Sequence, residues 1–119
     1  MSNKHWDRKS IFDMINKVYK TYSVGQHYVH DNEPYVILKA IQQQVDPSGS
    51  QLGGFQYYNI MCYVPATSIL QLDEMLVRIK DIFKPIKEVE FTGSLNEDFH
   101  ETEIDMYMRY LEIRVPKEV

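Results

Sequence analysis

The stretch YYNIMCYVP, residues 57–65, constrains the fold more than any other part of the chain. Its aromatic and β-branched content is that of a strand, and Pro65 at its end cannot donate to a sheet ladder. Yet Ile60, Met61, Cys62, Tyr63 and Val64 are apolar at consecutive positions, where a strand with one wet face would alternate. Either both faces of its sheet are packed from within the chain, or one face meets another molecule.

The rest of the chain supplies the elements around this strand. Ser10 with Asp13 three residues later reads as a helix start, followed by an apolar stripe through Ile11, Phe12, Met14, Ile15, Val18, Tyr19 and Tyr22, with Gly25 as its stop. YVILKAIQQQ after Pro34 reads as a first strand. VDPSGSQLGG is turn-rich and long, so residues 45–54 form an extended hairpin tip leading into FQYYNIMCYV, antiparallel to the first strand. Thr67 or Ser68 caps a second helix whose stripe runs from Ile69 to Phe83, with Glu74 placed to pair with Arg78. Pro85 stops it. KEVEF is a short third strand, residues 92–103 an acidic loop, and EIDMYMRYLEIRV a long last strand. The order αββαββ predicts one α+β domain over residues 1–119, with one mostly antiparallel sheet of about four strands and two helices packed on one face.

Separating the long strands by their period of two answers part of the opening question. One set, Val36, Leu38, Ala40, Ile60, Cys62, Val64, Leu111, Ile113 and Val115, is aliphatic and suited to lie under helices. The opposite set holds Tyr35, Tyr57, Met61, Tyr63, Met106, Met108 and Tyr110, with Lys39, Asn59, Glu112 and Arg114 scattered among them. Tyr and Met are enriched at protein interfaces, and two helices cannot cover both faces of a sheet. The seven Tyr and Met residues are therefore predicted to form a self-association interface.

Charge and composition exclude several function classes. Lys4, Arg8, Lys9, Lys17 and Lys20 dominate the first 22 residues, whereas Glu88, Glu90, Glu97, Asp98, Glu101, Glu103 and Asp105 crowd residues 88–105 without a Lys or Arg. With a net charge of −4 this is no footprint for sequence-specific nucleic-acid binding; opposed charges at two ends suit head-to-tail contacts between like subunits. The polar start Met1–Lys9 and the short apolar runs predict a soluble protein made in a cytoplasm and no membrane partner. The single cysteine, Cys62, rules out an internal disulfide and reads as a small buried hydrophobe.

No catalytic constellation assembles. His27 and His30, near Asp31 and Glu33, have the spacing of helical metal ligands but lie between Gly25 and Pro34, where a loop or strand would splay them. His100 among Glu97, Asp98, Glu101 and Glu103 matches no metal-loop spacing. The glycines of VDPSGSQLGG lead into no helix, so they make no phosphate cradle. A small hydrolase or metal enzyme built on His27, His30 or His100 is set aside; no enzyme activity, metal or cofactor is expected.

Two stretches carry a family likeness. YVPATSILQLDEMLVRIKDIF is a strand ending in Val-Pro, a Thr/Ser turn, and a helix containing Leu-Asp; TGSLNEDFHETEID, a Gly-then-acidic segment, precedes the closing strand DMYMRYLEIRVP. In this order, from about Pro34 to Pro116, the chain resembles small tailed-bacteriophage and prophage proteins of the head–tail junction, most of all the tail terminator (tail completion, minor structural) group. The resemblance implies a non-enzymatic virion protein, assembled in the host bacterial cytoplasm. Such proteins form a homo-oligomeric ring, usually of six subunits, at the head-proximal end of the tail tube. The ring ends tail polymerisation and joins the tube protein to the head connector. It also implies roles for the hairpin tip Asp46, Pro47, Ser48, Gly49, Ser50, Gln51 and Leu52 in docking on a neighbouring ring, and for Glu97, Asp98, Glu101 and Glu103 in lining a lumen through which DNA slides. A head-completion or neck adaptor of the same junction, or a non-phage homo-oligomeric α+β binding domain, are the alternatives.

Overall fold

The structure, a computed structural model, describes residues 6–24, 33–41 and 54–116. Helix α1 runs Arg8–Asn16. Its cap is Asp7, whose carboxylate accepts from both the backbone N–H and the hydroxyl of Ser10 at 2.9 Å. Ser10 thus lies in the first turn instead of capping it; an aspartate with extended backbone directs its carboxylate at orphan N–H groups better than the serine behind it. The helix also ends earlier than its apolar period suggests. Val18 N–H and Tyr19 N–H both donate to the Ile15 carbonyl at 2.9 Å, tightening the last turn, and the Asn16 side chain takes the Thr21 N–H at 3.0 Å. Thr21 and Tyr22 then belong to strand β1, Lys20–Ser23, where β-branched and aromatic residues fit better.

Strands β2 (Tyr35–Ile41) and β3 (Phe55–Pro65) pair antiparallel, Tyr35 opposite Tyr63 and Ile41 opposite Tyr57. A short 3-10 turn, Ala66–Ser68, leads into α2, Leu70–Phe83. No side chain caps α2 at its N-terminus, contrary to the role expected of Thr67 or Ser68; the helical turn preceding it already supplies a carbonyl, Ile69 to Leu72 N–H at 3.0 Å. The Glu74–Arg78 pair forms at 3.5 Å on the exposed side of α2, a contribution of about 0.3–0.5 kcal/mol.

Strands β4 (Glu90–Leu95) and β5 (Phe99–Glu101) both pair with β6 (Met106–Pro116), which lies along the whole of β3. The sheet is six-stranded and mixed, in the order β1-β2-β3-β6-β4 with β5 also on β6; β1 alone runs parallel to its neighbour. This corrects the four-stranded, mostly antiparallel sheet expected from the sequence. Residues 92–103 are largely strand, since β4 continues to Leu95 and β5 lies within them. A bulge at Gly93, whose φ of 87° is a left-handed value that glycine adopts without strain, interrupts β4 between Phe91 and Leu95. Asn96 bridges the gap that follows. Its side-chain oxygen takes the Tyr110 N–H at 2.7 Å in place of a ladder bond of β6, and its carbonyl accepts from the Arg109 guanidinium at 3.2 Å.

Both helices lie on one side of the sheet, the inner face. Ile11 and Ile15 of α1 and Leu72, Met75, Ile79 and Phe83 of α2 meet Val36, Leu38, Ile60, Cys62, Val64, Leu111, Ile113 and Val115 in one buried cluster that also takes in Trp6. Each large aliphatic side chain so buried contributes about 1.5–3 kcal/mol.

Candidate functional site

The register places the opposite, outer face in four rows that run across the strands. They are Tyr35–Tyr63–Met108–Phe99, Ile37–Met61–Tyr110, Lys39–Asn59–Glu112 and Ile41–Tyr57–Arg114–Glu90. Lys20 and Tyr22 of β1 add to the first two, opposite Tyr35 and Ile37. The face therefore grades from aromatic and sulfur-bearing at one end of the strands to polar and charged at the other.

The apolar end is partly a core in its own right. Tyr35 and Tyr63 stack at 4.9 Å with planes 8° apart, Tyr22 meets Tyr35 edge-on at 5.8 Å, and Tyr35, Tyr63 and Met106 are 1%, 5% and 2% exposed. Burial holds the Tyr63 hydroxyl above the ordinary tyrosine pKa, with the nearby Glu101 charge adding to it. These three of the seven predicted interface residues are already enclosed within the chain, in a cluster against which Tyr22, Ile37, Met61, Ile104 and Met108 pack. The other four, Tyr57, Met61, Met108 and Tyr110, are half-buried and reachable. Phe99, 48% exposed and opposite Met108, belongs with them. The sequence does not mark it, because a lone phenylalanine in an acidic stretch signals a loop, and its face is defined only by the pairing of β5 with β6.

The polar end is organised around Arg114. Its guanidinium pairs with Glu90 at 2.6 Å and lies 4.1 Å over the Phe55 ring. The neighbouring Tyr57 hydroxyl first, then Glu90, raise its already high pKa. Thr92 donates its hydroxyl to the Glu112 carboxylate at 2.6 Å. Tyr57, Glu90, Phe91, Thr92, Glu112 and Arg114 line an open depression of about 680 Å³, in which Glu90 offsets Arg114 and Glu112 keeps its charge. Beside it, the Asn59 side-chain oxygen is buried and meets no hydrogen-bond donor among the described residues.

The remaining chemical candidates fall into structural places. Cys62 is fully buried on the inner face, and burial drives its thiol pKa well above the range where a thiolate forms. The Asp105 carboxylate accepts from His100 Nε2 at 2.8 Å, and the imidazole stacks on Tyr107 at 4.8 Å, fixing the turn between β5 and β6 in which Asp105 adopts φ 53°. Asp98 and Asp73 flank Arg109 at 3.8 and 3.7 Å, joining the sheet edge to α2. Glu97, Glu101 and Glu103 lie on and beside β5 at that edge. Among the described residues no cluster of three or more His, Cys, Asp or Glu side chains could hold a metal ion, and no helix is long and apolar enough to cross a membrane. His27, His30, Asp31 and the hairpin tip Asp46–Leu52 lie outside the described residues. The chain matches no protein-family model, and no curated protein is similar to it in sequence at a significant level.

Proposed function

We propose that this chain is a structural protein that works by docking its outer sheet face, and that its setting is the one the sequence resemblance implies. In that reading it is a tail terminator, a ring of identical subunits at the head-proximal end of a phage tail tube. One observation carries the docking reading. Tyr57, Met61, Met108, Tyr110 and the exposed Phe99 share a face that neither helix covers, at a density that soluble monomers seldom leave bare. The Arg114–Glu90 pair supports it further, because a paired and oriented ion can be buried in an interface where a lone one cannot. The acidic edge at Glu97, Asp98, Glu101 and Glu103 is in keeping with a lumen that repels DNA phosphates.

Electron microscopy of the purified protein mixed with isolated tail tubes tests the reading. Rings or capped tube ends are expected, and the Tyr110→Glu variant should fold and leave the ends bare. Tubes that stay uncapped by the wild-type chain would contradict the terminator role, and binding to head connectors alone would move it to the neck.

A further inference from the structure

The first outer row, Lys20–Tyr35–Tyr63–Met108–Phe99, crosses the whole sheet and ends on two edges of opposite charge. At the β1 edge stand Lys17, Val18 and Lys20. The Asn16 side chain takes the Thr21 N–H at 3.0 Å, which seats the end of α1 against β1. Both lysines are exposed, and Val18 is 46% exposed. At the β5 edge stand Glu97, Phe99, Glu101 and Glu103. Asp98 and Asp105 of that edge are held by Arg109 and His100, but neither these three glutamates nor Lys17 and Lys20 form a salt bridge among the described residues. One edge thus presents an apolar side chain between lysines, and the other an apolar side chain between carboxylates. Sheet edges of one sign keep copies of a chain apart, whereas edges of opposite sign draw them together.

We propose that copies of this chain meet edge to edge, the β5 edge of one against the α1–β1 edge of the next. The inference rests on the ring reading and names the two surfaces that adjoin in it. Because the edges are different surfaces on opposite sides of the sheet, the contact is head-to-tail, and each added copy leaves one edge open until the ring closes. A two-fold pairing of edges would instead set carboxylates on carboxylates or lysines on lysines. Closure also demands that the adjoining groups stand at one height, since a ring has no rise. With the ring axis along the strands, Lys20 and Phe99 meet that demand, because they end the same row. Phe99 then lies over Val18 and the methylenes of Lys20. Glu101, two residues on in β5 and on the same face, comes within diagonal reach of Lys20 and Lys17. Glu97 and Glu103 stay at the rim, where they add attraction that salt screens and can still face a lumen. Met61 and Tyr110, in the middle of the outer face, are left for the docking proposed above.

Cross-linking of the full chain with a short bis-maleimide, at about 100 µM protein, tests this, with circular dichroism confirming that each variant folds. Cys62 is fully buried and does not compete. Lys20→Cys alone and Glu101→Cys alone should stay uncross-linked, whereas an equimolar mixture of the two should give a covalent dimer and nothing larger. The chain carrying both substitutions should give a ladder beyond the dimer. Its two thiols cannot join within one copy, because four strand spacings, roughly 19 Å, separate β1 from β5. Adding Phe99→Ser to the Glu101→Cys chain should cut the dimer yield of the mixture roughly tenfold, and adding Lys17→Glu to the Lys20→Cys chain should cut it roughly threefold. No product from the mixture, single variants that link to themselves as well as the mixture does, a doubly substituted chain that stops at the dimer, or yields indifferent to Phe99→Ser would each overturn the contact. A ladder from a protein that caps no tail tubes keeps the contact and removes the terminator reading; capped tubes without the cross-link do the reverse.

Discussion

Replacing Asn59 by leucine should make the folded chain more stable. The Asn59 oxygen is buried in β3 and meets no donor among the described residues, and a group in that state costs about 1–3 kcal/mol. Leucine removes the cost, fits the half-buried position between Lys39 and Glu112, and favours a strand more than asparagine does. Setting about 0.5–1 kcal/mol against imperfect packing of the larger apolar end, the net gain is about 1–2 kcal/mol. For a domain of 119 residues that raises Tm by roughly 4–8 °C. The assay is thermal and urea unfolding followed by circular dichroism, at a concentration low enough that only the monomer is present. A Tm lowered by several degrees would refute the reasoning, since it would mean that the amide is satisfied within the folded chain.

Four further outcomes follow from the packing. Asn96→Ala removes the 2.7 Å bond to the Tyr110 N–H and should cost about 1–2 kcal/mol, with faster hydrogen exchange at the Tyr110 amide and little change at Ile60. Asp7→Ala should cost about 1 kcal/mol by uncapping α1, whereas Ser10→Ala should cost less, which urea titration of both variants resolves. Ile15→Ala, at a fully buried site between α1 and the sheet, should cost about 2–5 kcal/mol in the same titration. Burial raises the pKa of Cys62 from an ordinary value of 9.0, so the folded chain holds a proton that the unfolded chain releases; that stability is complete below pH 9 and declines above it, by up to about 1.4 kcal/mol per pH unit. Tyr19, Tyr58 and Tyr63, also raised by burial, add to the decline above an ordinary value of 10.0, so Cys62→Ala should delay the onset of alkaline destabilisation seen in Tm against pH.

How much could be read from the chain differs sharply between its elements. The long strands β2, β3 and β6 and the helix α2 were legible, because each carries its period over many residues and ends at a turn signal or a proline. The division of the strands into an aliphatic and a Tyr/Met face also followed from the period of two, and the inner face packs under the helices accordingly. β1 was hidden because Val18, Tyr19 and Tyr22 prolong the helical spacing of α1, while the event that ends the helix is a side-chain bond from Asn16 to Thr21. β5 was hidden because three residues in an acidic run carry no pattern, and its existence depends on pairing with distant β6. The enclosure of Tyr35, Tyr63 and Met106 was equally out of reach, since stacking depends on which residues the register sets side by side. The orphaned oxygen of Asn59 is of the same kind. A polar residue in an apolar strand is visible in the sequence, but whether its hydrogen bonds are met is a property of the assembled sheet.

Hydroxyl-radical footprinting of the free protein over a range of concentrations examines the outer face most directly. Met61, Met108 and Tyr110 should be modified readily in dilute solution and become protected together as concentration rises, while Met75, buried in the inner core, stays protected and Leu70, 82% exposed, stays reactive throughout. Equal reactivity of Met61, Met108 and Tyr110 at every concentration would mean that this face stands open to water and docks on no second copy.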